Sequence, residues 1–182
     1  RVMKKYLIII LLSLSGVSAL AQLTISSGAQ WVIEGSPSVV LQDMNMVNDG
    51  TITSGTGTFK FTGIQNSTIS GSSIPGFYIL EMAKTNSAKV LLRSNINVNH
   101  SINFVSGQLD MNGKNIFLAS TAYLNNETEL NRITGANGGY IEIIQNMSSP
   151  NMNNPGGLGA FITSSANLGS VTLRRSHAPQ TG

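Results

Sequence analysis

Side chains able to move a proton, attack a carbonyl or hold a metal are few in this chain. Carboxylates stand only at Glu34, Asp43, Asp49, Glu81, Asp110, Glu127, Glu129 and Glu142, histidines only at His100 and His177, and cysteine is absent. The lack of cysteine removes a disulfide framework, a thiolate nucleophile, Cys-ligated zinc and a lipidated cysteine. Glu127 and Glu129 form the one local acidic pair, which an extended strand would put on one face, as a glycosidase or a Ca²⁺ site requires. Their setting, Asn125-Asn126-Glu127-Thr128-Glu129, is turn-rich, and a solvated strand face is the simpler reading. The two histidines lie in polar, turn-like or terminal sequence without a companion at metal spacing, so both read as solvated. No Gly-x-Ser-x-Gly elbow accompanies the 23 serines. Gly138-Gly139 runs into Tyr140 rather than completing a calcium-binding repeat turn. Arg174-Arg175, the only basic cluster, lacks nearby carboxylates and reads as an exposed strand end.

Aromatic side chains offer a different chemistry, the stacking of sugar rings. Trp31, the only Trp, together with Tyr78, Tyr123 and Tyr140 supplies such faces, but Trp31 shares a strand face with Ile33 and is expected in the core or at its end. The sequons at Asn66, Asn99, Asn126 and Asn146 follow from composition. No catalytic residue, cofactor site or metal site is therefore expected, and no ligand-binding residue is assigned.

The elements that would position any site are short strands. The 182 residues include 19 Asn, 19 Gly, 23 Ser and 14 Thr but only 10% charged residues, a composition that favours turns and strands over helical surfaces. Lys4 and Lys5, the apolar run Tyr6 to Leu12 and the small-residue pattern Ala19-Leu20-Ala21 read as a secretory signal peptide over residues 1–21, too short in its apolar core to span a bilayer. Arg1-Val2 ahead of Met3 reads as sequence upstream of the initiator. Cleavage before Gln22 takes Arg1, Lys4 and Lys5 from the 11 basic side chains and leaves 8, matching the 8 acidic ones. The formal charge of +3 thus belongs to the leader, and nothing points to nucleic acid or an anionic membrane as partner.

Beyond the leader, apolar residues recur in alternating pairs, clearest at Ile96/Val98, Ile102/Phe104, Leu109/Met111 and Ile116/Leu118. Turns at Asn99-His100-Ser101, Ser106-Gly107 and Asn112-Gly113-Lys114 separate these pairs. Three such sides make a coil of about 20 residues. The expected fold is an all-β, right-handed parallel β-helix over residues 22–135, of roughly seven or eight coils, with those eight residues inside and amides stacked along the axis. A β-sandwich is the alternative. Residues 136–182 are expected to form a Gly/Asn-rich loop, Asn146 to Gly159, between a strand at Tyr140-Ile144 and a further β segment at Val171-Thr172-Leu173. The sequence is expected to continue past Gly182.

Residues from about 75 to 182 carry a resemblance. Ile96-Asn97-Val98-Asn99, Ser106-Gly107-Gln108-Leu109-Asp110-Met111, Gly113-Lys114-Asn115-Ile116-Phe117-Leu118, Gly138-Gly139-Tyr140-Ile141 and Ile162-Thr163-Ser164-Ser165-Ala166-Asn167-Leu168-Gly169 resemble segments of large, adhesin-like secreted surface proteins of Bacteroidota. The resemblance implies degenerate β-solenoid repeats and type IX export with a C-terminal sorting domain, which this sequence does not contain. It implies no catalytic residue. The expected function is a non-enzymatic, secreted or cell-surface structural and adhesion module. Its expected partners are extracellular polysaccharide or surface glycans and the export machinery, without nucleic acid or a membrane span. A carbohydrate-active β-helix enzyme is the runner-up.

Overall fold

Alternating apolar pairs bury every second side chain, and short turns bring each pair back above the last. The computed structural model describes residues 21–177, so the expected signal peptide lies almost wholly outside the described residues. The first coil contains β1 (Ala21–Ile25), β2 (Gln30–Val32) and β3 (Ser38–Gln42), and the second β4 (Met44–Asn48), β5 (Thr51–Thr53) and β6 (Thr58–Gly63). The third has β7 (Ser67–Ser70) and β8 (Gly76–Lys84), the fourth β9 (Lys89–Leu92) and β10 (Ile96–Ser106). The fifth has β11 (Gln108–Asp110), β12 (Ile116–Leu118) and β13 (Tyr123–Asn125), and the sixth β14 (Ile133–Thr134) and β15 (Tyr140–Ser148). A last strand, β16 (Asn167–Ser176), follows.

Strands of successive coils pair in parallel. One sheet runs β1-β4-β7-β9-β11-β14 and a larger one runs from β3 through β6, β8, β10, β12 and β15 to β16. This is a parallel β-helix and not a sandwich. The six-stranded sheet has one strand per coil, so the stack has six coils rather than seven or eight. The shortfall arises because the coils are longer than estimated: Ile116 opposes Ile96 after 20 residues, but Ile141 opposes Ile116 only after 25. Parallel stacking also runs past residue 135, since β15 pairs in register with β12. Only β16 reverses direction, lying antiparallel on β15.

The core is a set of ladders. Phe59, Leu80, Ile102 and Leu124 oppose one another in consecutive coils, as do Phe61, Met82 and Phe104. All eight expected core residues from Ile96 to Leu118 are buried, each side chain contributing about 1.5–3 kcal/mol. Trp31 is half-buried at the first coil, edge-on to Phe59 with centroids 5.5 Å apart.

Two expected details differ. Asn99-His100-Ser101 is not a turn: β8 and β10 continue round that corner as single strands, and an irregularity between Val98 and Ser101 absorbs the bend. Such an irregularity leaves Asn99 and His100 without register partners while the pairing resumes at Ser101, so the strand bends but continues where period-two counting reads an interruption. The segment after Ser148 is also not an open loop. A 3-10 turn at Pro155–Gly157 follows it, and Leu158 is buried in the core cluster.

Side chains tie the coils along the axis. Asn45 Oδ1 accepts the Thr68 N–H at 2.9 Å, Asn66 the Lys89 N–H at 2.8 Å, and Asn95 the Asn115 N–H at 2.9 Å. Asn115 then accepts the Tyr140 N–H at 3.2 Å. Among the described residues Asn137 on Asn112, at 2.7 Å, is the one hydrogen bond between two asparagine amides. Asparagine thus stacks as expected, but mainly by capping the backbone of the neighbouring coil.

Candidate functional site

Most charged residues are paired with a residue of a neighbouring coil or strand. Lys60 meets Glu81 at 2.7 Å and Lys89 meets Asp110 at 3.7 Å. Lys84 is fully buried, donating to Thr62 O at 2.6 Å and Gln65 O at 2.8 Å with Asp43 at 3.4 Å. Burial pushes the Lys84 ammonium below its ordinary pKa, and Asp43 opposes that. Asp49 accepts the Ser72 N–H and hydroxyl, both at 2.8 Å.

The Arg174-Arg175 pair corrects the sequence reading. Neither arginine lacks a carboxylate: β16 lies beside β15, so Arg174 bonds Glu142 and its guanidinium covers the Tyr140 ring, 4.8 Å from the centroid. Glu142 holds the Arg174 guanidinium above its ordinary pKa. Arg175 forks onto Glu127, Nη1 to Oε2 at 2.8 Å and Nη2 to Oε1 at 2.9 Å. Glu127 and Glu129 are likewise not on a strand; they lie in the connection between β13 and β14, where Glu127 Oε1 also accepts the Ile133 N–H at 3.0 Å. The two carboxylates therefore do not act as a matched pair. The Arg175–Glu127 contact joins residues 48 apart, beyond any local sequence signal.

These residues surround a cleft of about 820 Å³ at the sixth coil, lined by Glu127, Glu129, Arg132, Thr134, Arg175 and His177. His177 is half-buried, and its backbone N–H donates to Gly139 O at 2.9 Å. Burial first, then the Arg175 charge, holds the imidazole below its ordinary pKa; Glu127 opposes this and Arg132 adds to it. It is therefore neither the solvated histidine expected nor a metal ligand with companions: among the described residues no group of three or more His, Asp or Glu side chains is placed to hold a metal.

His100 differs from expectation in another way. On β10 it lies parallel to the Tyr78 ring at 4.8 Å and edge-on to Tyr123 at 5.7 Å, forming an aromatic strip across three coils. Tyr123 opposes Ser101, while Leu124 takes the inward place opposite Ile102. Tyr78 and His100 cover one face of each other, leaving less ring surface for a sugar.

Comparison of the chain with family models, with curated proteins and with solved structures gives no match. Among the described residues no helix is long and apolar enough to cross a membrane.

Proposed function

We propose that the chain is a non-enzymatic, extracellular structural and adhesion module, exported by the leader read at residues 1–21 and serving at the cell surface or in secreted form. The use of charge carries this reading. Five ion pairs, Lys60–Glu81, Lys84–Asp43, Lys89–Asp110, Arg174–Glu142 and Arg175–Glu127, link coils or neighbouring strands, and Asp49 is engaged by Ser72. Catalysis needs an acid and a base free to exchange protons with a substrate, their pKa values pushed apart. Here six of the eight carboxylates brace neighbouring coils or strands, Glu34 and Glu129 being the exceptions, and the exposed Asn, Ser and Thr side chains, interspersed with apolar ones such as Ile64 and Val105, suit multivalent contact with polysaccharide. The resemblance to adhesin-like surface proteins of Bacteroidota agrees with this reading.

A carbohydrate-active enzyme is the second reading, favoured by the cleft that holds Glu127, Glu129 and His177 together. Incubating the chain with a panel of polysaccharides separates the two. Retention without cleavage is the expected outcome; release of reducing ends or unsaturated sugars, abolished by Glu127→Gln, would establish the enzyme instead.

A further inference from the structure

Seven buried side-chain polar atoms have no hydrogen-bond partner among the described residues, and three of them belong to residues lining one cleft: Thr134 Oγ1, Arg175 Nε and His177 Nε2. Buried polar groups are normally paired. That three unpaired ones sit on residues lining the same cleft singles it out as a place for a bound partner. The terminal nitrogens of Arg175 are occupied by Glu127, which leaves its Nε–H. Glu127 is itself engaged twice, by Arg175 and by the Ile133 N–H. Arg132 on the rim is exposed and makes no ion pair among the described residues. His177, held neutral by burial and by Arg175, carries one ring proton to donate. The cleft therefore offers the uncommitted Arg132 cation, the Nε–H of a guanidinium whose charge Glu127 already balances, and two neutral donors, for an acceptor of single negative charge. Glu129, exposed at the same rim, repels any anion in proportion to its charge, so a single charge is tolerated better than several, and it accepts hydroxyl hydrogens. A volume of about 820 Å³ is far larger than an inorganic ion needs and lies in the range of small-molecule sites.

We propose that this cleft binds the carboxylate of an acidic sugar residue, a hexuronate within a polysaccharide, with Arg132, Arg175 Nε–H, the Thr134 hydroxyl and the His177 ring as donors and Glu129 receiving ring hydroxyls. The proposal rests on the adhesion reading and gives it a ligand class and a place.

Calorimetric titration of the chain with trigalacturonate, its methyl ester, maltotriose and inorganic phosphate tests it. The acid trimer binds, the ester and the neutral trimer do not, and phosphate fails to compete. Arg132→Ala weakens the acid trimer about tenfold, the loss of one charge-assisted hydrogen bond. Thr134→Val weakens binding while leaving the melting temperature unchanged, which separates recognition from folding. With only two histidines, proton NMR locates the site: the His177 ring signals move on titration and those of His100 stay. Equal binding of ester and acid, competition by phosphate, or movement of His100 alone would overturn the cleft assignment. Failure of all four probes would also overturn it, while retention of another polysaccharide by the same chain would leave the adhesion reading standing.

Discussion

Asp43 Oδ1 accepts the Gln65 N–H, and Asp49 Oδ1 accepts the Ser72 N–H and hydroxyl, so each carboxylate reaches into the next coil. These bonds hold both carboxyl groups below their ordinary pKa of 3.8; for Asp43 the Lys84 charge adds to this and partial burial opposes it. A carboxyl depressed in the folded state makes the unfolded chain the stronger proton binder, so its stability contribution is present above pH 3.8 and lost as the pH falls through the folded value. Asp49→Asn should therefore flatten the acid side of the stability curve, read as the urea midpoint between about pH 5 and pH 2; an acid limb as steep as that of the parent chain would contradict this. Lys84 is the opposite case. Its depressed pKa penalises the folded state below that value, and the penalty is relieved as the pH rises toward 10.5. Replacing it by Met still costs about 2–3 kcal/mol, because Thr62 O and Gln65 O lose their donor. A urea midpoint equal to the parent's at pH 7 would show that the ammonium is dispensable. Neither aspartate nor Lys84 announces these roles in the sequence, since their partners lie about a coil or more away.

At the level of strands and turns, more was legible. The pairs from Ile96 to Leu118 alternate cleanly because one side of each strand faces a thin core, and all of them are buried. In sequence the corner at Asn99-His100-Ser101 has the form of a turn, because three polar residues in a row break period two, whereas in the fold a bulge carries β10 round the bend. Nor could the sequence show that Arg175 meets Glu127, since that contact depends on β16 reversing onto β15. Turn chemistry, in contrast, is local. Gly71 has φ +123°, and a Cβ there would lie 2.0 Å from Asn48 O, a backbone atom of the previous coil. Gly71→Ala should destabilise the stack by more than about 2 kcal/mol, from strained backbone and steric overlap together. Gly28→Ala, with φ +77° and nothing within 4 Å, is the control and should cost about 1 kcal/mol. Thermal melts of the two variants check the difference, and equal losses would mean that close coil packing at Gly71 is unimportant.

The whole molecule behaves as a one-dimensional array in which each coil is held by its neighbours. Among the described residues an internal coil has two interfaces and the first has one, so stability should fall toward the first coil. Phe104, 3% exposed in the fourth coil, stacks in register on Met82. Phe104→Asp leaves an unpaired charge in the middle of the stack, where both halves depend on that coil, and should abolish the cooperative transition. Val39 is half-buried in the first coil, and Val39→Asp should leave a transition of smaller urea dependence, because fewer coils remain to unfold. The placement of Trp31 makes the gradient measurable without any substitution. As the only Trp, it reports on the first coil through its edge-on contact with Phe59, while far-ultraviolet circular dichroism reports on strands in all six. In urea the Trp31 fluorescence change should precede the dichroism change, and Val39→Asp should widen the gap between them. Coincident midpoints for the two probes would show instead that the stack unfolds as a single unit, with inter-coil coupling too strong for the first coil to fray alone.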